Sequence, residues 1–200
     1  MGGIGTRPWC PNSIGARYSR IHPTLVALTF FLVHDTFHRM NTLTWETVCN
    51  DRSLRDLPFK IETNRNGQIV MSPAKKEHAG YQGEIAKQLG ILMRNGRVLV
   101  ECAIETDDAS KVADVAWASQ ARWKALDDSA SCSIAPEICV TVESWCNTAA
   151  EMAEKRGLYL AAGAVEFWFC DLQGSLVFFD ADGPIAASRL CSGFPPAIAL

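Results

Sequence analysis

The chain has 200 residues, of which 48% are hydrophobic and 20% charged, and its formal charge is −3. That length suits one domain with an appendage, and the composition builds an ordinary core rather than a disordered chain. The slight negative charge argues against a protein that coats DNA through a basic surface. It leaves open an enzyme that brings a divalent cation to a phosphodiester. Eight cysteines are scattered without a C-x-x-C pair, several of them in apolar strand-like runs. They read as reduced buried thiols of a cytoplasmic protein, not as a disulfide framework. The seven-residue spacing of Cys132, Cys139 and Cys146 fits no metal-ligand pattern.

Residues 1–39 differ in texture from the rest, being rich in Gly, Pro and Arg ahead of the run TLVALTFFLV at 24–33. That run is too short to span a bilayer, so no membrane segment is expected. Three readings stay open for 1–39: a secretory signal without a small-x-small cleavage site, a packed accessory helix, or a poorly ordered extension. The last is preferred, with the functional domain taken as 40–200 and Met40 as a candidate start. His34 and His38 in HDTFH have the i,i+4 spacing of a zinc hydrolase, but Asp35 stands where the glutamate base belongs. Two histidines in an extension is the plainer reading.

Beyond Met40 the elements follow in order. A threonine cap and Glu46 predict a short helix near 44–50. LPFKIET, NRNG and QIVMS predict a hairpin that Pro73 closes. Tyr81, Ile85, Leu89, Leu92 and Met93 recur at helical spacing across 77–95, with Gly96 as the stop. RVLVECAIET (97–106) and KVADVAWAS (111–119) predict two strands joined by DDAS, and QARWKALDD a short helix or loop. EICVTVES (137–144) predicts a strand, 148–162 a helix ended by Gly163, and VEFWFCD with LVFFDA a last hairpin. This is an α/β order with one mixed β-sheet flanked by helices. No phosphate-binding glycine loop and no G-x-S-x-G elbow occurs.

Two strands carry acids where apolar residues would suit the core. Asp114 is flanked by Ala113 and Val115. In EICVTVES one face is Ile138, Val140, Val142 and Ser144, and the other Glu137, Cys139, Thr141 and Glu143. A buried ionised carboxylate costs several kcal/mol unless paired or bound to metal. Asp114 and Glu143 therefore suggest a shared hard cation such as Mg²⁺ or Mn²⁺. Lys155 lies on a helical stripe with Met152, Tyr159 and Ala162, which points it to the sheet. An i,i+4 surface pair with Glu151 is the alternative. Glu84 borders the apolar stripe of the first long helix as a supporting acid, or as a solvated one. Glu62 reads as exposed beside the hairpin, and His78 as a cap or surface residue.

The segments LPFKIETNRNGQIVMSPA, HAGYQGEIAKQLG, KVADVAWAS and APEICVTVES, followed by EKRGLYLAAGAVEFWFCD, resemble the Uma-two family. Its members are assigned as endonucleases of the PD-(D/E)XK restriction-endonuclease-like superfamily. The resemblance covers roughly 43–179. It implies a restriction-endonuclease-like mixed β-sheet flanked by helices, and Mg²⁺-dependent (or Mn²⁺-dependent) hydrolysis of phosphodiester bonds in DNA. The family's strand Asp falls on Asp114, with Ala113 in place of Pro, and its helix lysine on Lys155. Its downstream tyrosine and "AG" turn fall on Tyr159 and Gly163. In its "EVLSPS" segment the catalytic glutamate falls on Thr141, the leucine on Glu143 and the proline on Trp145.

Threonine is a neutral and poorer Mg²⁺ ligand. Glu143, about 6.6 Å further along the same strand face, is placed to replace the lost carboxylate. The expected site is thus Asp114, Glu143 and Lys155, with the metal on Asp114 and Glu143 and support from Glu84 and Thr141. DNA is the expected partner, and a homodimer is compatible with the sequence. The rival expectation is an inactive nuclease-fold module for DNA binding or assembly.

Overall fold

The computed structural model describes residues 43–200, apart from Ala74 and Cys146. The expected extension 1–39, with His34 and His38, lies outside the described residues. The first described elements are α1 (Trp45–Asn50), capped by Thr44 Oγ1 accepting from Thr47 N at 3.2 Å, and a single 3-10 turn, Arg52–Leu54. The hairpin β1 (Phe59–Thr63) and β2 (Ile69–Pro73) forms its own two-stranded sheet. Asn64 makes its turn: Oδ1 accepts from Asn66 N and Gln68 N, both at 3.1 Å, and Gly67 takes φ +68°. Glycine pays nothing for that left-handed conformation.

Helix α2 (Lys76–Leu92) ends three residues earlier than its periodicity suggests, with Met93 N donating to Leu89 O at 2.8 Å. Gly96 does not serve as the stop. It opens β3 (Gly96–Thr106), where a Cβ would overlap Ala118 O and the Trp117 ring. Strand β3 pairs antiparallel with β4 (Ala109–Ser119) in a hairpin tighter than DDAS implied, because Ala109 and Ser110 already belong to the ladder. Helix α3 (Gln120–Ala125) then leads by a long loop to β5 (Ile138–Val142). Helix α4 (Ala149–Ala161) starts on a reciprocal capping box of Thr148 and Glu151. It carries the chain over to β6 (Glu166–Cys170), followed by β7 (Leu176–Asp180) and β8 (Gly183–Ile185).

The main sheet has six strands in the order β3-β4-β5-β6-β7-β8, with only β5 and β6 parallel. Helix α4 is therefore the crossover that a parallel pair requires. Ile85 and Leu89 of α2 pack with Val115, Trp117, Ile138, Val140 and Trp168 in one apolar cluster. Tyr159 of α4 packs with Ala116, Cys139 and Phe167 in the other. Strand β5 is buried along its whole length because both clusters claim it. Of the six described cysteines, all free, four are buried, Cys132 is half-buried and Cys49 exposed. No helix among the described residues is long and apolar enough to cross a membrane.

Candidate functional site

Strands β4 and β5 are paired from Trp117↔Ile138 to Val115↔Val140, and the pairing then stops. The next positions are Asp114 and Thr141. There the carboxylate replaces the missing backbone acceptor, with Val142 N donating to Asp114 Oδ2 at 2.8 Å. Asp114 is 1% exposed. Its Oδ1 receives Lys60 Nζ at 2.5 Å and lies 3.0 Å from His78 Nε2. Gln82, one turn after His78 on α2, donates to the Asp114 backbone carbonyl at 2.9 Å and to Glu101 at 2.6 Å. Glu101 sits across β3 from Asp114 in the left-handed region, φ +53°. That conformation is costly for a side-chain-bearing residue and clusters at functional positions.

A second ion pair lies beside the first. Lys155 Nζ donates to Glu62 Oε1 at 2.6 Å, and Val112 N donates to the same oxygen at 2.8 Å. Strand alternation puts Lys60 and Glu62 on one face of β1. Thr63 fixes that strand over β4, its Oγ1 accepting from Ser110 N at 3.0 Å and its carbonyl from Lys111 Nζ at 3.2 Å. Burial would raise the Asp114 carboxyl. Lys60, the His78 hydrogen bond and Lys155 together hold it well below the usual carboxylate range. Burial would likewise raise Glu62, but Lys155 and Lys60 bring it below its ordinary value. Burial would lower Lys60, yet Asp114, Glu62 and Glu101 raise it. Burial and the neighbouring Lys60 lower Lys155 against the pull of Glu62 and Asp114.

These groups line a polar pocket of about 70 Å³ that also contains Thr141, Ser144 and Asn147. A larger cavity of about 340 Å³, between β3 and the 126–132 segment, gathers no comparable set of ion pairs. Of the residues expected from sequence, the structure brings Asp114, Thr141 and Lys155 into the polar pocket. It does not bring Glu143 there. Strand β5 ends at Val142, so face alternation no longer governs Glu143, whose Oε2 accepts from Leu172 N at 3.2 Å. Glu84 is also elsewhere, held by Lys87 at 3.0 Å and Gln88 at 3.0 Å on the outer side of α2. Glu151 serves the α4 cap and leaves Lys155 to Glu62. The sequence pattern singles out none of Lys60, Gln82 and Glu101; it leaves Glu62 exposed and makes His78 a cap or surface residue, whereas all five line the pocket. The signals were present: Lys60 and Glu62 two apart on a strand, and His78 and Gln82 four apart on a helix.

The sequence profile of the Uma2 family, described as "Putative restriction endonuclease", matches residues 51–181. The chain belongs to the Uma2 family. A crystal structure titled as a putative nuclease belonging to DUF820, from Anabaena variabilis, superposes with a TM-score of 0.54. The two are 16% identical, over 68% of this chain and 86% of that one, a likeness that shows the fold. No curated protein sequence matches the chain. Asp114 and Lys155 lie within the residues that the family profile matches, and both line the polar pocket.

Restriction-endonuclease-like chemistry generally calls for a divalent metal, and such an ion needs free carboxylate oxygens. An ionised carboxylate offers about four lone-pair sites. Lys60, His78 and Val142 N take three of them on Asp114. Oε1 of Glu62 is shared by Lys155 and Val112 N. Thr141 contributes only a hydroxyl, buried and without a hydrogen-bond partner among the described residues. Among the described residues no three His, Cys, Asp or Glu side chains converge to hold a metal. The residues present do not fit a divalent ion.

Proposed function

We propose that this Uma2 chain acts on DNA by binding a backbone phosphate at the polar pocket, and that it does so without metal-dependent cleavage. The observation that supports this reading is the convergence of two ammonium groups, Lys60 and Lys155, where the β4–β5 ladder ends. A phosphodiester oxygen entering the pocket would find a charge-assisted donor in Lys155 and a neutral donor in the Thr141 hydroxyl, which has no partner among the described residues. Asp114 and Glu62 hold the two lysines in place for that contact. With an overall charge of −3, and with the two lysines set among Asp114, Glu62 and Glu101, affinity rests on a few phosphate contacts and falls with salt in proportion to their number.

The second reading, a Mg²⁺- or Mn²⁺-dependent DNA endonuclease, is favoured by family membership and by Asp114 and Lys155 lining one pocket. One experiment separates the two. Labelled duplex DNA is titrated with the protein in EDTA, and plasmid nicking is followed with Mg²⁺ or Mn²⁺. The expected result is salt-sensitive binding in EDTA, weakened about ten- to a hundredfold in Lys155→Gln, since a lost charged contact costs about 1.5–3 kcal/mol. No nicking above the Asp114→Asn level is expected. Absence of binding in EDTA overturns the first reading. Nicking that needs the metal and disappears in Asp114→Asn establishes the second.

A further inference from the structure

The pocket has a feature that neither the family match nor its expected chemistry accounts for: a lysine already bonded to the aspartate. Lys60 reaches Asp114 from β1, fifty-four residues away in sequence, and its side chain is only 14% exposed. Asp114 Oδ1 receives its ammonium at 2.5 Å. A Mg²⁺ ion ligated by the same carboxylate would stand about 2.0–2.1 Å from an oxygen. Ammonium and metal would then contend for the same lone pairs, and the two cations would repel at close range in a largely buried site.

The opposite wall of the pocket agrees with this. Thr141, the β5 residue facing Asp114, brings a neutral hydroxyl to the place where a second anionic ligand would be needed to hold a divalent charge. The remaining carboxylates are engaged. Glu62 is bonded to Lys155, and Glu101 accepts from Gln82 while lowering the potential around Lys60. Lys60 and Thr141 fit one another: an ammonium on Asp114 facing a neutral hydroxyl keeps the pocket near charge balance without an ion.

We infer that Lys60 is the resident cation of this pocket, its ammonium neutralising Asp114 in the place of a divalent metal, so that the site refuses Mg²⁺ and Mn²⁺ for as long as residue 60 is cationic. The inference rests on the pocket proposed above as the functional site. Its test needs neither DNA nor turnover, so the two can fail separately.

Mn²⁺ binding to the purified chain is read from the loss of the free-ion electron paramagnetic resonance signal. Wild type and Lys60→Arg, both with a cation at position 60, are expected to show no saturable binding at millimolar Mn²⁺. Lys60→Met keeps the packing of the aliphatic stem but frees Asp114, and should bind Mn²⁺ at least about tenfold more tightly than wild type. Lys60→Met with Thr141→Glu should bind more tightly again, whereas Thr141→Glu alone should stay near wild type because the new carboxylate meets Lys60. Saturable Mn²⁺ binding by wild type or Lys60→Arg that disappears in Asp114→Asn overturns the inference, as does a folded Lys60→Met that gains nothing. Should the double variant fail to fold, the contrast between Lys60→Met and Lys60→Arg decides. Should Lys60→Met also fail, wild type measured against Asp114→Asn decides.

Discussion

Two acids lie at the heart of the main sheet, each 1% exposed, and they are satisfied in opposite ways. Glu166 opens β6, beside Ile138 of β5. Its Oε2 accepts from Trp168 Nε1 at 2.8 Å and Ser188 Oγ at 2.7 Å, and its Oε1 from Arg189 N at 2.7 Å and Leu190 N at 3.0 Å. Four neutral donors fill its lone-pair sites and fasten the chain after β8 to the sheet. Asp114 has one backbone donor and two side-chain partners drawn from β1 and α2. The first acid is a stitch. The second is the centre of a charged pocket. Both are carboxylic acids buried to the same degree, so what marks a candidate site is the character of the donors and the open space beside them.

The largest effect that would test this contrast is on Glu166. Glu166→Ala should cost about 3–5 kcal/mol in chemical denaturation, because four donors lose a charged acceptor in the interior. DNA binding below the unfolding transition should be unchanged. A loss under 1 kcal/mol, on the order of a single neutral hydrogen bond, would break the comparison.

Asp114 comes next. Its folded carboxyl is held below the unfolded value, so its contribution is complete above about pH 4 and drains away as pH falls through the folded value. Asp114→Asn should cost about 2 kcal/mol at neutral pH, less than loss of an isolated buried pair because Glu62 and Glu101 remain near Lys60. The gap between wild type and variant should narrow as pH falls below about 4. A gap independent of pH would show that the ion pair adds no stability.

The smallest effect is at Thr141, whose hydroxyl is buried without a partner. Thr141→Val should leave stability within about 1 kcal/mol of wild type, on the favourable side, because an unsatisfied polar group is exchanged for an apolar one of equal shape. Destabilisation beyond that range, measured by the same denaturation curves, would mean that the hydroxyl has a bound partner in solution.

Much of the fold was legible along the chain because it is written in local patterns. Asn66-Gly67 marked the β1–β2 turn, Ile85 and Leu89 the buried face of α2, and Thr148 the start of α4. Where local signals were misread, a tertiary contact had overruled them. Gly96 is needed for close approach to Trp117, not for ending a helix. Glu143 leaves the face of Thr141 because β5 stops one residue before it. Glu62 is drawn inward by Lys155, ninety-three residues later.

The sequence by itself determined the α/β class and, β8 apart, the order of its strands and helices, and it singled out Asp114, Thr141 and Lys155 as candidates that the fold gathers in one pocket. Hydrophobic periodicity, turn residues and an acid flanked by core residues are properties of neighbours in the chain, and these were enough. Only the tertiary structure decided which charges meet. Lys60, Glu62, His78, Gln82 and Glu101 come from three separate elements. They converge because β1 lies over β4 and α2 packs across the sheet where the β4–β5 ladder ends. Coulomb interaction depends on distance in space, which no spacing along the chain discloses. The sequence marked the aspartate; the fold put a lysine on it.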